Sequence, residues 1–347
     1  MTKDFPLRDP VAPVKWTGRA LKVLDQRLLP HKIAYLNCAA PEDVARATKN
    51  MALRGAPLIG CAAAYAMAMA ARRGGLVDME KTAPRLLKAR PTAVNLAHAV
   101  SCMLEKGRAA AGAKNFAGQM IREAESYYAL DLQANRDMAK LGASLLGKKK
   151  CRVMTYCNAG ALATSGLGTA VGVIRYAHYQ GKVERVYCCE TRPYLQGSRL
   201  TLWEFMRSGV PATLITDNAA AHLIKTGNID AVFVGSDRIA ANGDVCNKIG
   251  TYGVALAAKR HRVPFYAVAP ISTIDAKCAR GDLIPIEERS SEEVVKIGTH
   301  RIAPRGARAA HFAFDVTPRN LVGAIVTERG IIKPVNRRSI ERILHAI

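Results

Sequence analysis

Arg152-Val153-Met154-Thr155-Tyr156-Cys157-Asn158-Ala159-Gly160 begins as a β-rich apolar run and ends on a thiol, an amide and a glycine. Four further runs follow it: Arg185-Val186-Tyr187-Cys188, Ala212-Thr213-Leu214-Ile215-Thr216, Ala231-Val232-Phe233-Val234 and Phe265-Tyr266-Ala267-Val268. Each is separated from the next by a helix-like stretch, which is the rhythm of βαβ units and a parallel sheet. Because the runs are apolar on both faces, each suits a strand covered by helices on two sides.

Upstream the texture differs. Ala20–Asp25 and Lys32–Asn37 read as short strands around Leu28-Leu29-Pro30,. Pro41-Glu42-Asp43 then supplies a proline and acids suited to a first helical turn, and helical patterning covers Ile59–Ala71, Thr92–Lys106 and Phe116–Leu146,. The expected architecture is α/β: a mostly helical N-terminal domain with a small sheet over residues 1–127, then a Rossmann-like, doubly wound parallel sheet over residues 128–347. A chain of 347 residues suits two domains,.

With 49% hydrophobic and 23% charged residues, no apolar stretch of about eighteen residues and no basic-then-apolar leader, the chain reads as soluble and cytoplasmic, with no membrane partner,. Nine scattered cysteines, none in a C-x-x-C pair, form neither a disulfide framework nor a zinc site and read mainly as small buried hydrophobes,. Lys and Arg number 51 against 28 Asp and Glu, a balance of +23. That excess fits a phosphorylated substrate and equally fits general surface character. Aromatics at 6% leave little for stacking bases, so no specific nucleic acid is expected,.

Ligands of open parallel sheets bind beyond the carboxyl ends of the strands. Those ends here run into Cys157-Asn158, Glu190-Thr191-Arg192-Pro193, Asp217-Asn218 and Gly235-Ser236-Asp237-Arg238, which gathers a thiol, an arginine and several acids on one rim. Asp217, just ahead of Ala219-Ala220-Ala221-His222, reads as a helix N-cap. Asp237 does not, because no regular pattern starts behind it before the Asn242-Gly243-Asp244 turn. Arg54-Gly55-Ala56-Pro57 combines a cation, a flexible glycine and a helix-starting proline, an arrangement that suits either a phosphate or a tight turn. Arg90-Pro91-Thr92 repeats it. The small-residue loop Gly160–Gly168 lacks both G-x-G-x-x-G and the P-loop lysine, so a nucleotide cofactor has weak support.

Seven motifs occur in order: Arg54–Pro57, Arg90–Leu96, Cys157-Asn158, Glu190–Gly197, Gly235–Asp244, Asn247–Tyr252 and Ile286–Arg289. With them the chain, from about Val14 to its end, resembles the methylthioribose-1-phosphate isomerases. These share a fold with ribose-1,5-bisphosphate isomerases and with regulatory subunits of the translation initiation factor two-B. The resemblance implies an aldose–ketose isomerase of methionine salvage, without metal or nicotinamide, working as a homodimer on a small sugar phosphate. It implies a catalytic pair, Cys157 and Asp237, and substrate contacts at Arg54, Gly55, Ala56, Arg90, Gln196, Asn247 and Lys248, drawn from both domains. An aldose 1-phosphate cannot open its ring by losing an anomeric hydroxyl proton, so a protonated Asp237 would donate to the ring oxygen. Cys157 thiolate would then carry a proton from C2 to C1, or the pair would manage protons while hydride moves directly. Four positions depart from the family pattern: Tyr156 for a His, Ala159 for a Thr, Ala161 for a Ser and Cys189 for an Asp. They leave related pentose phosphates open as substrates.

Overall fold

The computed structural model describes residues 5–345. It separates into two compact units, the first reaching Arg136 and including Gly160–Gly168, the second formed by Asp137–Ala159 and the chain from Thr169 onward.

The first unit opens with strands β1 (Val14–Trp16), β2 (Leu21–Leu24) and β3 (Tyr35–Cys38), paired antiparallel in that order. Helices α1 (Pro41–Lys49), α2 (Ala56–Ala89), α3 (Val94–Ala109) and α4 (Phe116–Ala143) follow, the last extending into the second unit. The two expected strands and the helices are present; β1, too short for a periodic signal, completes the sheet. Helix α1 starts where Pro41 takes the first helical position and the Asp43 carboxylate accepts the Ala39 and Ala40 amides at 3.0 and 3.1 Å,. Helix α2 is buried without interruption from Ala56 to Ala71, and its alanines explain how. A helix packed on all sides needs small side chains all round. It bends at Gly74-Gly75, where Gly75 takes φ +65°,.

The loop Gly160–Gly168 is tied into this unit by side chains. Asp131 on α4 accepts the Ser165 amide at 2.9 Å and its hydroxyl at 2.6 Å. Gln26 donates to the Leu162 carbonyl at 2.7 Å, and Asp9 accepts the Leu167 amide at 2.8 Å.

The second unit holds β4 (Cys151–Tyr156), α5 (Ala170–Tyr179), β5 (Val183–Cys189), α6 (Leu202–Arg207), β6 (Ala212–Ile215), α7 (Ala220–Lys225), β7 (Ala231–Val234), β8 (Arg238–Ala240) and β9 (Val245–Lys248). It continues with α8 (Thr251–Arg260), β10 (Phe265–Val268), β11 (Ile274–Asp275), α9 (Glu292–Val295), β12 (Lys296–Ile297), β13 (His300–Arg301), β14 (Phe314–Thr317), β15 (Ala324–Thr327), β16 (Gly330–Ile332) and α10 (Arg337–His345). Seven strands form one sheet in the order β16-β15-β10-β7-β4-β5-β6. All its pairs are parallel except β15 with β16. The interior strands β7, β10 and β15 are buried at every residue, as the two-faced apolar runs require,. The chain travels outward from β4 through β5 to β6, then restarts at β7 and travels the other way through β10 to β15. The order therefore reverses between β4 and β7, and the fold is the expected α/β doubly wound sheet.

A second sheet, β11-β8-β9-β14, was not legible beforehand. Its strands β8 and β9 make a hairpin whose turn carries Asn242-Gly243-Asp244, with Gly243 at φ +96°,. Among the described residues no helix is long and apolar enough to cross a membrane, and all nine cysteines are free.

Asp131 is half-buried and Ser165 is buried, so removing the carboxylate leaves the Ser165 amide and hydroxyl without their acceptor. Asp131→Ala is expected to lower the unfolding free energy by about 2–3 kcal/mol, measured by denaturant titration against the wild type.

Candidate active site

Strands β4 and β7 pair in register with Tyr156 opposite Val234. The next residue on the first strand is Cys157; three residues beyond the end of the second is Asp237. The strand-end thiol and acid thus leave adjacent carboxyl ends at the point of reversal, where open sheets bind ligands.

Cys157 sits at φ +64°, a conformation uncommon outside glycine, and two threonines hold it there,. Its amide donates to Thr191 Oγ1 at 2.9 Å, and its carbonyl accepts Thr201 Oγ1 at 2.6 Å. Thr191 is itself at φ +66°, a genuine outlier for a β-branched residue,. Its support is Asp217, whose two carboxylate oxygens accept the Thr191 and Arg192 amides, each at 2.7 Å. Asp217 is therefore not the helix cap that its sequence position suggested. Its carboxylate reaches across to the end of β5, because two adjacent amides in that turn offer a bidentate fit that one helical amide does not.

Beneath the thiol lies a buried polar network. Asn158 Nδ2 donates to Glu204 Oε1 at 2.7 Å and to Thr201 Oγ1 at 3.1 Å, with Glu204 fully buried. Gln196 is also buried, and no group among the described residues donates to its Oε1. Buried acceptors of this kind are rare in finished interiors and common where a ligand completes them. The following Gly197 is required sterically, since a Cβ there would fall 1.7 Å from the Cys189 carbonyl oxygen.

Asp237 donates its amide to the Cys246 carbonyl at 2.9 Å, and Ser236 Oγ donates to the same oxygen at 3.1 Å. The acid thereby sits at the entrance of the β8/β9 hairpin. Regular structure does start behind it, at Arg238, but as a strand, so the conclusion that Asp237 is no helix cap stands for a different reason.

Asn247 and Lys248 lie buried on β9. Asn247 Nδ2 donates to Thr251 Oγ1 at 3.0 Å, that hydroxyl donates to the Lys248 carbonyl at 2.6 Å, and the Lys248 ammonium stands 4.5 Å over the Phe314 ring,. Asp315, opposite Asn247 on β14, accepts the Gly250 amide at 2.7 Å and the Tyr252 amide at 3.2 Å. Burial pushes its carboxyl up to about 6,. Gly250 takes φ +100°, and a Cβ there would come within 2.1 Å of the Tyr156 hydroxyl oxygen. The turn that follows Asn247 and Lys248 is thus packed directly on the residue that precedes Cys157. Sequence reasoning missed Asp315; the available signal was an acid inside the apolar run Phe314-Asp315-Val316.

Arg54, Gly55, Ala56 and Arg90 belong to the first unit; the other candidates belong to the second. Arg54 is 6% exposed and stands ahead of α2, which has Pro57 in its first turn. Gly55 has φ +96°, and a Cβ there would meet Ala163 Cα at 2.4 Å. A cation beside a helix N-terminus suits an anion. Arg90 ends α2, its Nη1 3.2 Å from Met51 Sδ. The departures Tyr156, Ala159, Ala161 and Cys189 are all buried, so they line the interior. Burial pushes the Tyr156 hydroxyl and the Cys189 thiol well up, with nearby negative charge, Asp217 included, adding to both.

The profile of the Initiation factor 2 subunit family matches residues 52–334. A methylthioribose-1-phosphate isomerase of Chloroflexus aurantiacus is 50% identical over 330 residues, covering 92% of this chain and 95% of its own. That of Thermotoga maritima is 48% identical over 335 residues, covering 95% and 97%. The crystal structure of 5-methylthioribose 1-phosphate isomerase from Pyrococcus horikoshii superposes with a TM-score of 0.89 at 40% identity, covering 96% of this chain and 95% of that one. A structure from A. fulgidus named as translation initiation factor eIF-2B, subunit delta, superposes at 0.83 with 41% identity, covering 95% and 99%.

Asp315 gives this region a pH signature. Its carboxyl titrates near 6 when folded against about 3.9 when unfolded, so its stabilising contribution is complete below pH 4 and lost as pH rises through 6,. Between pH 4 and pH 7 the stability of Asp315→Asn relative to wild type should therefore improve, by on the order of 3 kcal/mol, in urea titrations at a series of pH values.

Proposed function

The chain belongs to the Initiation factor 2 subunit family, and from that premise we propose that it is an aldose–ketose isomerase converting 5-methylthioribose 1-phosphate to 5-methylthioribulose 1-phosphate in methionine salvage. What supports this most directly is the placement of Cys157 and Asp237 at adjacent carboxyl ends of β4 and β7, where the strand order reverses. Arg54, Gly55, Ala56, Arg90, Gln196, Asn247 and Lys248 are assigned to substrate binding. The assignment draws on the buried cations Arg54 and Lys248 for the phosphate and on the open Gln196 acceptor for a hydroxyl.

In this reading Asp237, as an acid, protonates the ring oxygen while the C1 to ring-oxygen bond breaks, which opens the sugar and leaves an electrophilic C1. Cys157, as thiolate, takes the C2 proton; the C2–H electron pair forms the C1=C2 double bond of an enol. Collapse of that enol to the C2 ketone, with the C2 hydroxyl proton taken up by the Asp237 carboxylate and the proton on Cys157 returned to C1, gives the ketose phosphate and restores both residues. Atoms and charge balance without an external oxidant or reductant, because C1 is reduced as C2 is oxidised.

A second reading comes from the subunit of the exchange factor that shares the fold at 41% identity. There the chain would regulate rather than catalyse, and its thiol would be dispensable. The substrate panel decides between them and also against ribose 1,5-bisphosphate. The enzyme is further assigned to the cytoplasm as a homodimer, which sedimentation equilibrium reads directly.

Purified protein is expected to turn over methylthioribose 1-phosphate far faster than ribose 1,5-bisphosphate. Cys157→Ser and Asp237→Asn should each lower kcat by roughly 10²–10⁴-fold, the usual worth of a positioned acid or base. Turnover in either variant at the wild-type level would remove the catalytic assignment. Deuterium from solvent appearing at C1 of the product would support the thiolate route, and its complete absence would favour direct hydride transfer.

A further inference from the structure

The motif Ile286-Glu287-Glu288-Arg289 has no part in the reading above, yet it builds one side of a buried histidine. Arg289 clasps Glu293 through two bonds, Nε to Oε2 at 3.1 Å and Nη2 to Oε1 at 2.7 Å, and donates a third from Nη1 to Glu287 at 3.2 Å. The Arg289 amide donates to the His311 carbonyl at 2.9 Å. Glu293 Oε2, so fixed, stands 3.2 Å from Nδ1 of His311, whose side chain is only 2% exposed; the Ser290 carbonyl lies 3.4 Å from the same nitrogen.

Both neighbours of Nδ1 are acceptors, so the ring hydrogen belongs on Nδ1. Burial, with the charges of Lys248 and Arg289, opposes a second proton more than Glu293 favours one, and the imidazole titrates below its ordinary value. At neutral pH it is therefore neutral, and Nε2 presents a lone pair. That atom is buried, and no group among the described residues donates to it. A desolvated acceptor whose partner edge is held by an Arg–Glu clasp is oriented for a donor that the protein does not supply. Its neighbourhood says what the donor is near. Residues 311–313 run beside the Asn247–Ile249 strand end, with the Ile249 amide on the Ala313 carbonyl at 3.0 Å, and the Lys248 charge acts on the ring.

We propose that His311 is a substrate-binding residue of the isomerase, its Nε2 accepting a hydrogen bond from a ring or chain hydroxyl of the sugar phosphate held by Lys248. This rests on the reading that Asn247 and Lys248 contact substrate. Arg289 and Glu293 act through the imidazole as positioning residues, which gives the 286–289 motif a function.

The test uses the full chain, with steady-state turnover of methylthioribose 1-phosphate and inhibition by its 2-deoxy and 3-deoxy analogues. His311→Phe should raise KM roughly tenfold with a much smaller change in kcat, the loss expected when one hydroxyl contact disappears. The decisive comparison is between inhibitors. The variant should bind one analogue about tenfold more weakly than wild type does and the other, which lacks the contacting hydroxyl, equally well. His311→Gln, which keeps an acceptor, should recover most of that difference. Equal effects on both analogues, or none, overturn the inference. Should His311→Phe not fold, nitrogen-15 spectra of wild-type protein carry the same question. The His311 Nε2 signal must shift on saturation with one analogue and not the other, and an unmoved signal overturns the inference. Wild-type protein that does not turn over the substrate removes the reading beneath it, and the inference falls too; turnover with equal analogue binding overturns the inference alone.

Discussion

The candidate site depends first on the pairing of β4 with β7. In a parallel sheet wound outward from its centre in both directions, the two central strands are the only neighbours whose following loops diverge to opposite sides, which opens a crevice between them. Tyr156 beside Val234 fixes the register, and the register fixes which residues border that crevice. A slip of one residue would turn every side chain of the strand to the other face, and with both faces buried the sheet has no tolerance for it. The position of the Cys157–Asp237 pair is thus set by the same apolar contacts that stabilise the core, and no separate local device is needed to bring the two segments together.

What local devices do is hold the backbone in conformations it would otherwise leave. Cys157 and Thr191 both have positive φ, and each is supported from elsewhere in the chain: Thr191, after β5, and Thr201, just ahead of α6, on Cys157, and Asp217, after β6, on Thr191. Such strain persists only when the surroundings over-determine it. Here they do, because Thr191 and Thr201 are themselves buried and hydrogen-bonded, as is Glu204 beside Asn158, and Asp217 holds two adjacent amides at once. The arrangement has a directional logic. A left-handed residue directly after a strand turns its side chain away from the alternation of the sheet, so the thiol need not continue into either packed face.

The sheet was readable in the sequence because its strands are separated by helix-length intervals and its interior ones, β7 and β10, are apolar on both faces; the expected two-sided cover fails toward the edge, where β6 has no buried residue and β5 exposes Glu184 and Arg185. The strand ends were readable for the same reason, and with them Cys157 and Asp237. The second sheet was not, since β8 and β9 are three and four residues long and carry Arg238, Asn247 and Lys248. Residues of that kind signal strand only once β14 is seen to cover them. Asp217 shows the opposite failure: a residue with an obvious local role spends its carboxylate on a turn 25 and 26 residues away. Asp315 and His311 were invisible because their meaning lies in contacts with Gly250, Tyr252, Glu293 and Lys248, which no spacing along the chain encodes.

The positive charge of the chain can be resolved into two parts with different consequences. Most of the excess, including Lys148-Lys149-Lys150, lies on exposed side chains, where salt screens it over about 8–10 Å and its effect on a substrate is confined to the approach,. Arg54 and Lys248 are different, being 6% and 7% exposed. A cation out of water is screened far less than one on the surface. The density of charge along the sequence therefore says little about where a phosphate binds. Burial is the sharper filter: among the described lysines and arginines only Arg54, ahead of α2, Arg175, on α5, and Lys248, on β9, are buried, and of these the family motifs single out Arg54 and Lys248.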